Sequence, residues 1–453
     1  MSGLNLSMSI ALSALSAEQG ALDATSNNIA NVNTPGYSRQ IPIFTEAPTI
    51  SGKVPYGTGV TLQQFQSVRD QLLQLRIYED TQQQGSAQAQ VDTLSQVEQV
   101  FSSATGGIGG AFSTFFDSLS QLSTDPTNAA NRQQVLSAAN SLANAFHQSS
   151  SALTGIQSNL DKAVPQMVEQ VNQLTQQIAT LNGEVSQSQA TGQDPGAIQD
   201  QRDQLITQLS GIIGVQVTQT ETGLTLTTAN GVPLVVGNHN YTLQAGVGAS
   251  GVQDVFSQGQ DITSSIQGGS LAGTIQVRDQ MIASLQSGLD NLASEFAAAF
   301  NTANQAGFDL NGNAGQSVFN AVSGPGAAAN FGVAITDPSL IAASSDGSPG
   351  SSGNIANLLA VRDQALPSGA SPLDTYSNLV LQVGNFSANA QADSAATSLS
   401  LQQLTNQRDA ISGVSIDEES VNMIRYQQAY SAAARIVSTV DQMTQTLLSM
   451  VNG

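Results

Sequence analysis

From residue 3 to residue 32 apolar side chains recur at helical spacing: Met8, Leu15, Leu22 and Ile29 stand seven apart, with Leu4, Ala11 and Leu12 beside them. Such a stripe predicts an amphipathic helix, and Pro35-Gly36 ends it. At the other end Tyr426, Ala429, Ala433, Ile436, Val440, Met443, Leu447 and Met450 alternate at steps of three and four. That is the seam pattern of a coiled coil. Asp417-Glu418-Glu419 falls at the start of this second helix, where carboxylates favour the positive end of the helix dipole. Between the ends the same periodicity predicts helices over 68–104, 111–122, 128–191, 197–211, 275–304 and 373–412. The stretch 128–191 would span about 90 Å if unbroken, with Pro165 expected to start or bend a segment.

The texture changes at Gly214, where Val215, Val217, Leu224, Leu226, Leu234 and Val236 alternate with Thr, Gln and Asn, and Asn230-Gly231 signals a hairpin turn. A small β-rich region over 214–273 follows, and the Gly, Ser and Asn-rich stretch 305–353 is expected to join it. The fold class is therefore mainly α with a nested β-rich domain. The architecture expected is a multidomain, elongated helical rod with paired terminal coiled-coil helices. The domains expected are a terminal pair at 1–34 and 414–453, a helical rod of 35–213, 274–304 and 354–413, and a β-rich outer domain of 214–273 and 305–353.

Composition narrows the function. The chain has 453 residues, a formal charge of −21 and only 12 Lys plus Arg, so it lacks the basic surface needed to hold nucleic acid or anionic lipid. Charged residues make up 10% of it, against roughly 25% in average domains, which suits a surface that packs against its own kind. With no cysteine, disulfides, thiolate metal sites and thiol nucleophiles are excluded. The first basic residue is Arg39, so no ordinary signal peptide is expected. No apolar run reaches the about 18 residues of a membrane span.

Candidate chemistry is sparse. The two histidines, His147 and His239, sit in no metal or relay motif. Asp309-Leu310-Asn311-Gly312-Asn313 begins like a calcium loop but has Gly315 and Asn320 out of place, which leaves an Asx-rich turn. Gly106 to Gly110 lacks a phosphate-loop lysine and reads as a break between helices. Arg-Asp-Gln occurs at Arg69, Arg202, Arg278 and Arg362, and Arg408-Asp409 is a fifth Arg-Asp pair among ten arginines. Neighbours on a helix do not face each other, so these charges are read as solvated surface or as contacts to separate partners. No cofactor, metal or catalytic residue is expected. A hydrolase using carboxylates such as Asp417 and Glu418 would need a framing motif, which the chain lacks.

The remaining signal is Ser26-Asn27-Asn28-Ile29-Ala30-Asn31-Val32-Asn33-Thr34-Pro35-Gly36-Tyr37-Ser38-Arg39-Gln40. Physically it is a helix end, with small amides able to bond local backbone. It closely resembles the N-terminal motif of flagellar rod, hook and hook-associated proteins, carried by Asn27, Asn28, Asn31, Asn33, Thr34, Pro35, Gly36 and Tyr37. Ser38-Arg39-Gln40 resembles the hook-associated protein 1 branch. Ser412 to Glu419, Asn422 to Tyr430, Asn230 to Gly237 and Gly307 to Asn313 resemble further landmarks of that family. The resemblance implies a structural subunit at the junction of hook and filament. It implies an extracellular place in the bacterial flagellum, reached through the flagellar type III export apparatus. The terminal helices, through Met8, Leu15, Leu22 and Ile29 and through Tyr426 to Met450, would order on assembly as an inner tube. Implied partners are further copies in the junction layer, hook protein, the second hook-associated junction protein and a cytoplasmic chaperone on the C-terminal helix. The alternative within the same resemblance is another axial protein, a hook or rod subunit.

Overall fold

The structure, a computed structural model, describes residues 2–48, 57–101, 107–220 and 223–451. Its elements are α1 (Ser2–Ala30), β1 (Gln40–Glu46), β2 (Val60–Ser67), α2 (Gln71–Phe101), α3 (Ile108–Thr124), α4 (Ala129–Ala190) and α5 (Gly196–Ile212). Seven short strands follow: β3 (Gln216–Thr220), β4 (Gly223–Thr227), β5 (Pro233–Val236), β6 (His239–Asn240), β7 (Leu243–Val247), β8 (Gln253–Ser257) and β9 (Gln260–Asp261). The chain then returns to helix with α6 (Gly269–Gln276), α7 (Ile282–Gln305), α8 (Ile355–Ala360), α9 (Pro372–Ser412) and α10 (Ile416–Val451). The expected helices are present within a few residues; positions 102–104 of the second, and Gly106 of the glycine run, lie outside the described residues.

Two compact units divide these elements. The first takes residues 1–82, 170–243 and 397–453, the second 83–169 and 244–396. The nested strands fall into separate sheets, antiparallel β3-β4-β5-β6 in the first unit, and β7-β8-β9, of which β8 and β9 belong to the second. In the first unit Asn182 of α4 donates to the carbonyls of Leu224 and Gly237, at 3.0 and 2.8 Å, and so fastens the four-stranded sheet.

The second unit is built on phenylalanine. Phe112, Phe115 and Phe116 of α3 meet Phe146 of α4 and Phe296 and Phe300 of α7, with Phe112 and Phe296 edge to face at 4.8 Å, a favoured ring geometry. The stretch 305–353 differs from expectation. It carries only isolated bridges, and its Phe319 and Phe331 enter this helical core rather than joining the strands. The cause is local: the Asn301 amide accepts from the Val318 and Phe319 N–H groups and donates to the Phe319 carbonyl. Ala342 N–H similarly donates to the Asn304 side chain. Buried amides replace a strand ladder here.

Pro165 does not break α4. A mid-helix proline removes one hydrogen bond and costs about 3 kcal/mol, which packing offsets: Val164 and Val168 on either side are buried. One turn earlier, the Asp161 carboxylate accepts from Gln253 N–H at 2.7 Å and from Arg278 at 2.9 Å. Arg278 lies in a π-helical turn, Val277–Met281, between α6 and α7. Its side chain is wholly buried, and it also meets Asp279, Asp254 and the Gln253 carbonyl.

Candidate assembly site

Helix α1 packs along α10 and against the β1–β2 hairpin. The face it buries most deeply is not the leucine stripe. Ala17, Ala21 and Ala24 are nearly inaccessible, with Ala11, Thr25 and Asn28, whereas Met8, Leu15, Leu22 and Ile29 are half-buried on the flank. Small side chains let backbones approach; a Cβ on Gly20 would come 2.5 Å from the Leu62 side chain of β2. A run of alanines at steps of four and three was the available sequence signal, and it is quieter than leucine on any hydropathy scale.

On α10, Ala433 and Val440 are buried, and Tyr426 and Ala429 half-buried. Four other residues of the expected seam stay open: Ile436 is 51%, Met443 51%, Leu447 43% and Met450 74% exposed. Within one chain α1 therefore covers only one edge of the apolar stripe on α10.

The motif after α1 forms a polar lock. Asn28, 1% exposed, uses its whole amide. Its oxygen accepts from Tyr37 Oη and Gln40 N–H, both at 2.9 Å. Its nitrogen donates to the Gln40 carbonyl at 2.9 Å and to Glu419 of α10 at 3.1 Å. Burial, reinforced by the charges of Asp200 and Glu419, pushes the Tyr37 phenol up to about 12, so it remains a donor at neutral pH. Asn31 donates to the Asn27 carbonyl and side chain, and Thr34 donates to Asn31. Asn27, Asn33, Thr34 and Pro35 are exposed. Gly36 turns the chain at φ +78°, a conformation that favours glycine. The acidic start of α10 thus does more than match the helix dipole: Glu419 receives Asn28, and Glu418 pairs with Arg39. Spacing along the sequence could not reveal contacts between residues almost 400 apart.

Next to this lock lies a second polar cluster. Asp200 of α5 takes the Ser38 N–H and hydroxyl, at 3.0 and 2.7 Å, and Arg69 at 2.7 Å. Arg69 also reaches Asp203, which Arg202 approaches at 3.6 Å. The Arg-Asp pairs were expected to be solvated surface or contacts to separate partners, and the exposed Arg362 fits the first. Arg202, Arg278, Arg362 and Arg408 each fold onto the following Asp, because the long arginine side chain can bend to its neighbour; Arg278 also reaches Asp161, Arg202 reaches Asn182, and Arg69 reaches across to α5. Burial raises the Asp200 carboxyl above its ordinary 3.8, partly opposed by Arg69 and Ser38. The folded chain then holds this proton more tightly than the unfolded one, so Asp200's contribution to stability falls as pH rises through the raised pKa and is level above it. Asp200→Asn is expected to flatten the acid limb of the curve of denaturation midpoint against pH above the ordinary 3.8; an unchanged slope would mean that Asp200 does not set it.

The other candidates bring no chemistry together. His147 lies in α4 and His239 in β6. The Asp309 carboxylate is filled by its own loop, accepting from the Asn311 and Asn313 N–H groups at 2.8 Å and from the Asn313 amide. Among the described residues no group of three or more His, Cys, Asp and Glu could hold a metal ion. No described helix is long and apolar enough to cross a membrane.

Comparison with known proteins agrees along the whole chain. Residues 94–319 match the family described as flagellar hook-associated protein FlgK helical domain. Residues 8–37 match flagella basal body rod protein, and 406–450 the C-terminal segment of the basal body rod FlgEFG proteins. Among relatives, flagellar hook-associated protein 1 of Bacillus subtilis is 30% identical over 99% of both chains. That of Escherichia coli is 27% identical over 97% of this chain and 98% of its own. The solved structure of the flagellar hook junction protein FlgK from Burkholderia pseudomallei superposes with a TM-score of 0.68 at 18% identity. It covers 74% of this chain and 100% of that one, and at that identity it speaks for the fold. The terminal matches are to rod-protein families and the middle one to a single branch of axial protein. This chain belongs to the flagellar hook-associated protein 1 family.

Proposed function

We propose that the chain is a structural subunit of the flagellum that joins hook to filament, and that it is exported before its terminal helices are fixed by assembly. The observation that carries this reading is the open apolar flank of α10, Ile436, Met443, Leu447 and Met450. A single chain leaves this stripe in water, and a ring or tube of copies would cover it, a narrow amphipathic face gaining its stability from partners. In this reading 1–34 and 414–453 line the inner tube with Met8, Leu15, Leu22 and Ile29 toward its seams, and the remaining segments form the outer layers. Hook protein and the second hook-associated junction protein bound the layer, and before export a chaperone shields the C-terminal helix by the helix-in-groove mode.

The test replaces the natural chain in flagellated cells by an Ile436→Asp, Met443→Asp double variant. Both positions are half exposed, so the purified variant is expected to keep the natural thermal midpoint within a few degrees while its cells shed unattached filament protein and lose motility. Motile cells with attached filaments would sink the proposal.

A further inference from the structure

The chain contains seven methionines and neither cysteine nor tryptophan, so thioethers are its only sulfur and its most readily oxidised side chains. Met1 lies outside the described residues, and the other six are not equally open. Met443 and Met450 are exposed on α10, whereas Met8, Met167, Met281 and Met423 are half-buried. The Met167 sulfur accepts from the Ser270 hydroxyl at 3.9 Å, and Met281 packs against the phenylalanine core. With Leu447 between them, Met443 and Met450 run at steps of four and three, so one face of α10 carries all three. The two open sulfurs therefore sit on the stripe that a single chain leaves in water, and not in either core.

We infer that Met443 and Met450 form a peroxide-sensitive modification site that decides whether the stripe on α10 can be covered, an inference that rests on the junction reading above. At each residue a sulfur lone pair attacks one peroxide oxygen, and an S–O bond forms as the O–O bond breaks. The transferred oxygen passes its proton to the departing hydroxide, which leaves as water; sulfur is oxidised to the sulfoxide and the peroxide is reduced. The product turns a flexible apolar side chain into one that carries a strong acceptor. Burying that acceptor in an apolar seam strands it without a donor. Oxidation thus acts on the free chain and keeps it out of the assembly, while an assembled chain has both sulfurs covered and resists. Because neither sulfur lies in a core, the fold survives the change. Methionine sulfoxide reductases reverse it, so the stripe can be restored before export.

The test exposes the purified full-length chain, and isolated flagella that contain it, to the same dose of hydrogen peroxide and locates sulfoxides by peptide mass spectrometry. In the free chain Met443 and Met450 are expected to react about tenfold faster than Met167 and Met281, and in flagella to slow by about tenfold, since reactivity follows exposure. Treated and untreated chains are then bound to hooks isolated from cells that lack the chain. The oxidised natural chain is expected to bind about tenfold less, the factor for one stranded acceptor, with its thermal midpoint unchanged. Each chain is compared with its own untreated sample, and an M443L, M450L double variant is expected to show no loss caused by peroxide. Where the double variant does not bind, M443L and M450L singly are each expected to remove part of that loss. Sulfoxide spread evenly over Met167, Met281 and the α10 pair, hook binding unchanged after both are oxidised, or an equal peroxide loss in the variants overturns the site and leaves the junction reading intact. Met443 and Met450 as reactive in flagella as in the free chain, or an untreated chain that does not bind hooks, overturns both.

Discussion

Arg278→Met is expected to lower the stability of the second unit by about 3 kcal/mol, at the lower end of the range for stripping one partner from a buried ion pair. Arg278 is fully enclosed and is met by Asp161, Asp254 and Asp279 and by the Gln253 carbonyl. Removing it leaves three carboxylates close together with their common cation gone. They are not sealed from water: the Asp161 and Asp279 side chains keep 26% and 35% exposure, so partial hydration limits the loss. Asp254 is already raised by burial and by Asp261, Asp279 and Asp161, with Arg278 alone holding it down. Without Arg278 it rises further, so the variant's deficit should shrink as pH falls toward the carboxylate range. Denaturant titrations of both chains at neutral and acidic pH, read by proteolysis of the second unit, measure this. A neutral-pH loss below about 1 kcal/mol would mean that water replaces the guanidinium.

Asn28→Ala is expected to cost the first unit about 3 kcal/mol, since four groups lose a partner at somewhat under about 1 kcal/mol each. Tyr37 Oη, Gln40 N–H, the Gln40 carbonyl and Glu419 all lose their shared partner. Four bonds on one amide act together and tie α1, the motif loop and α10. The loss should therefore show as faster amide exchange in both terminal helices, with the phenylalanine core of the second unit unchanged. Exchange that speeds up only in the 28–40 loop would refute a lock that reaches α10.

What was legible in the sequence was periodic or composed of signature residues. Heptads marked α1 and α10, alternation marked β3 to β5, and Pro35-Gly36 marked the end of α1. The Asn-rich run pointed to the family without revealing that Asn28 is its buried member, because nothing local distinguishes Asn28 from Asn27 or Asn31. Long-range pairing supplies that difference, through Glu419 and the hairpin backbone. The same limit applies to 305–353: its glycines and amides read as turns, but side-chain amides on α7 decide which core those turns join. The arginine repeats look alike along the chain, and burial alone separates Arg278 from Arg362, whose side chain is 56% exposed.

The alanine seam of α1 also fixes the order in which the molecule would come apart under tension. Burial stabilises in proportion to apolar area, so Ala17, Ala21 and Ala24 give each helical turn a weak grip, whereas the interlocked rings of Phe112, Phe146, Phe296 and Phe319 hold far more area per residue. A pull on the N-terminus would meet small, similar steps along α1, then one larger step where Asn28 is clasped. Tension on the N-terminus is therefore expected to free the terminal helix before it opens the core of the second unit.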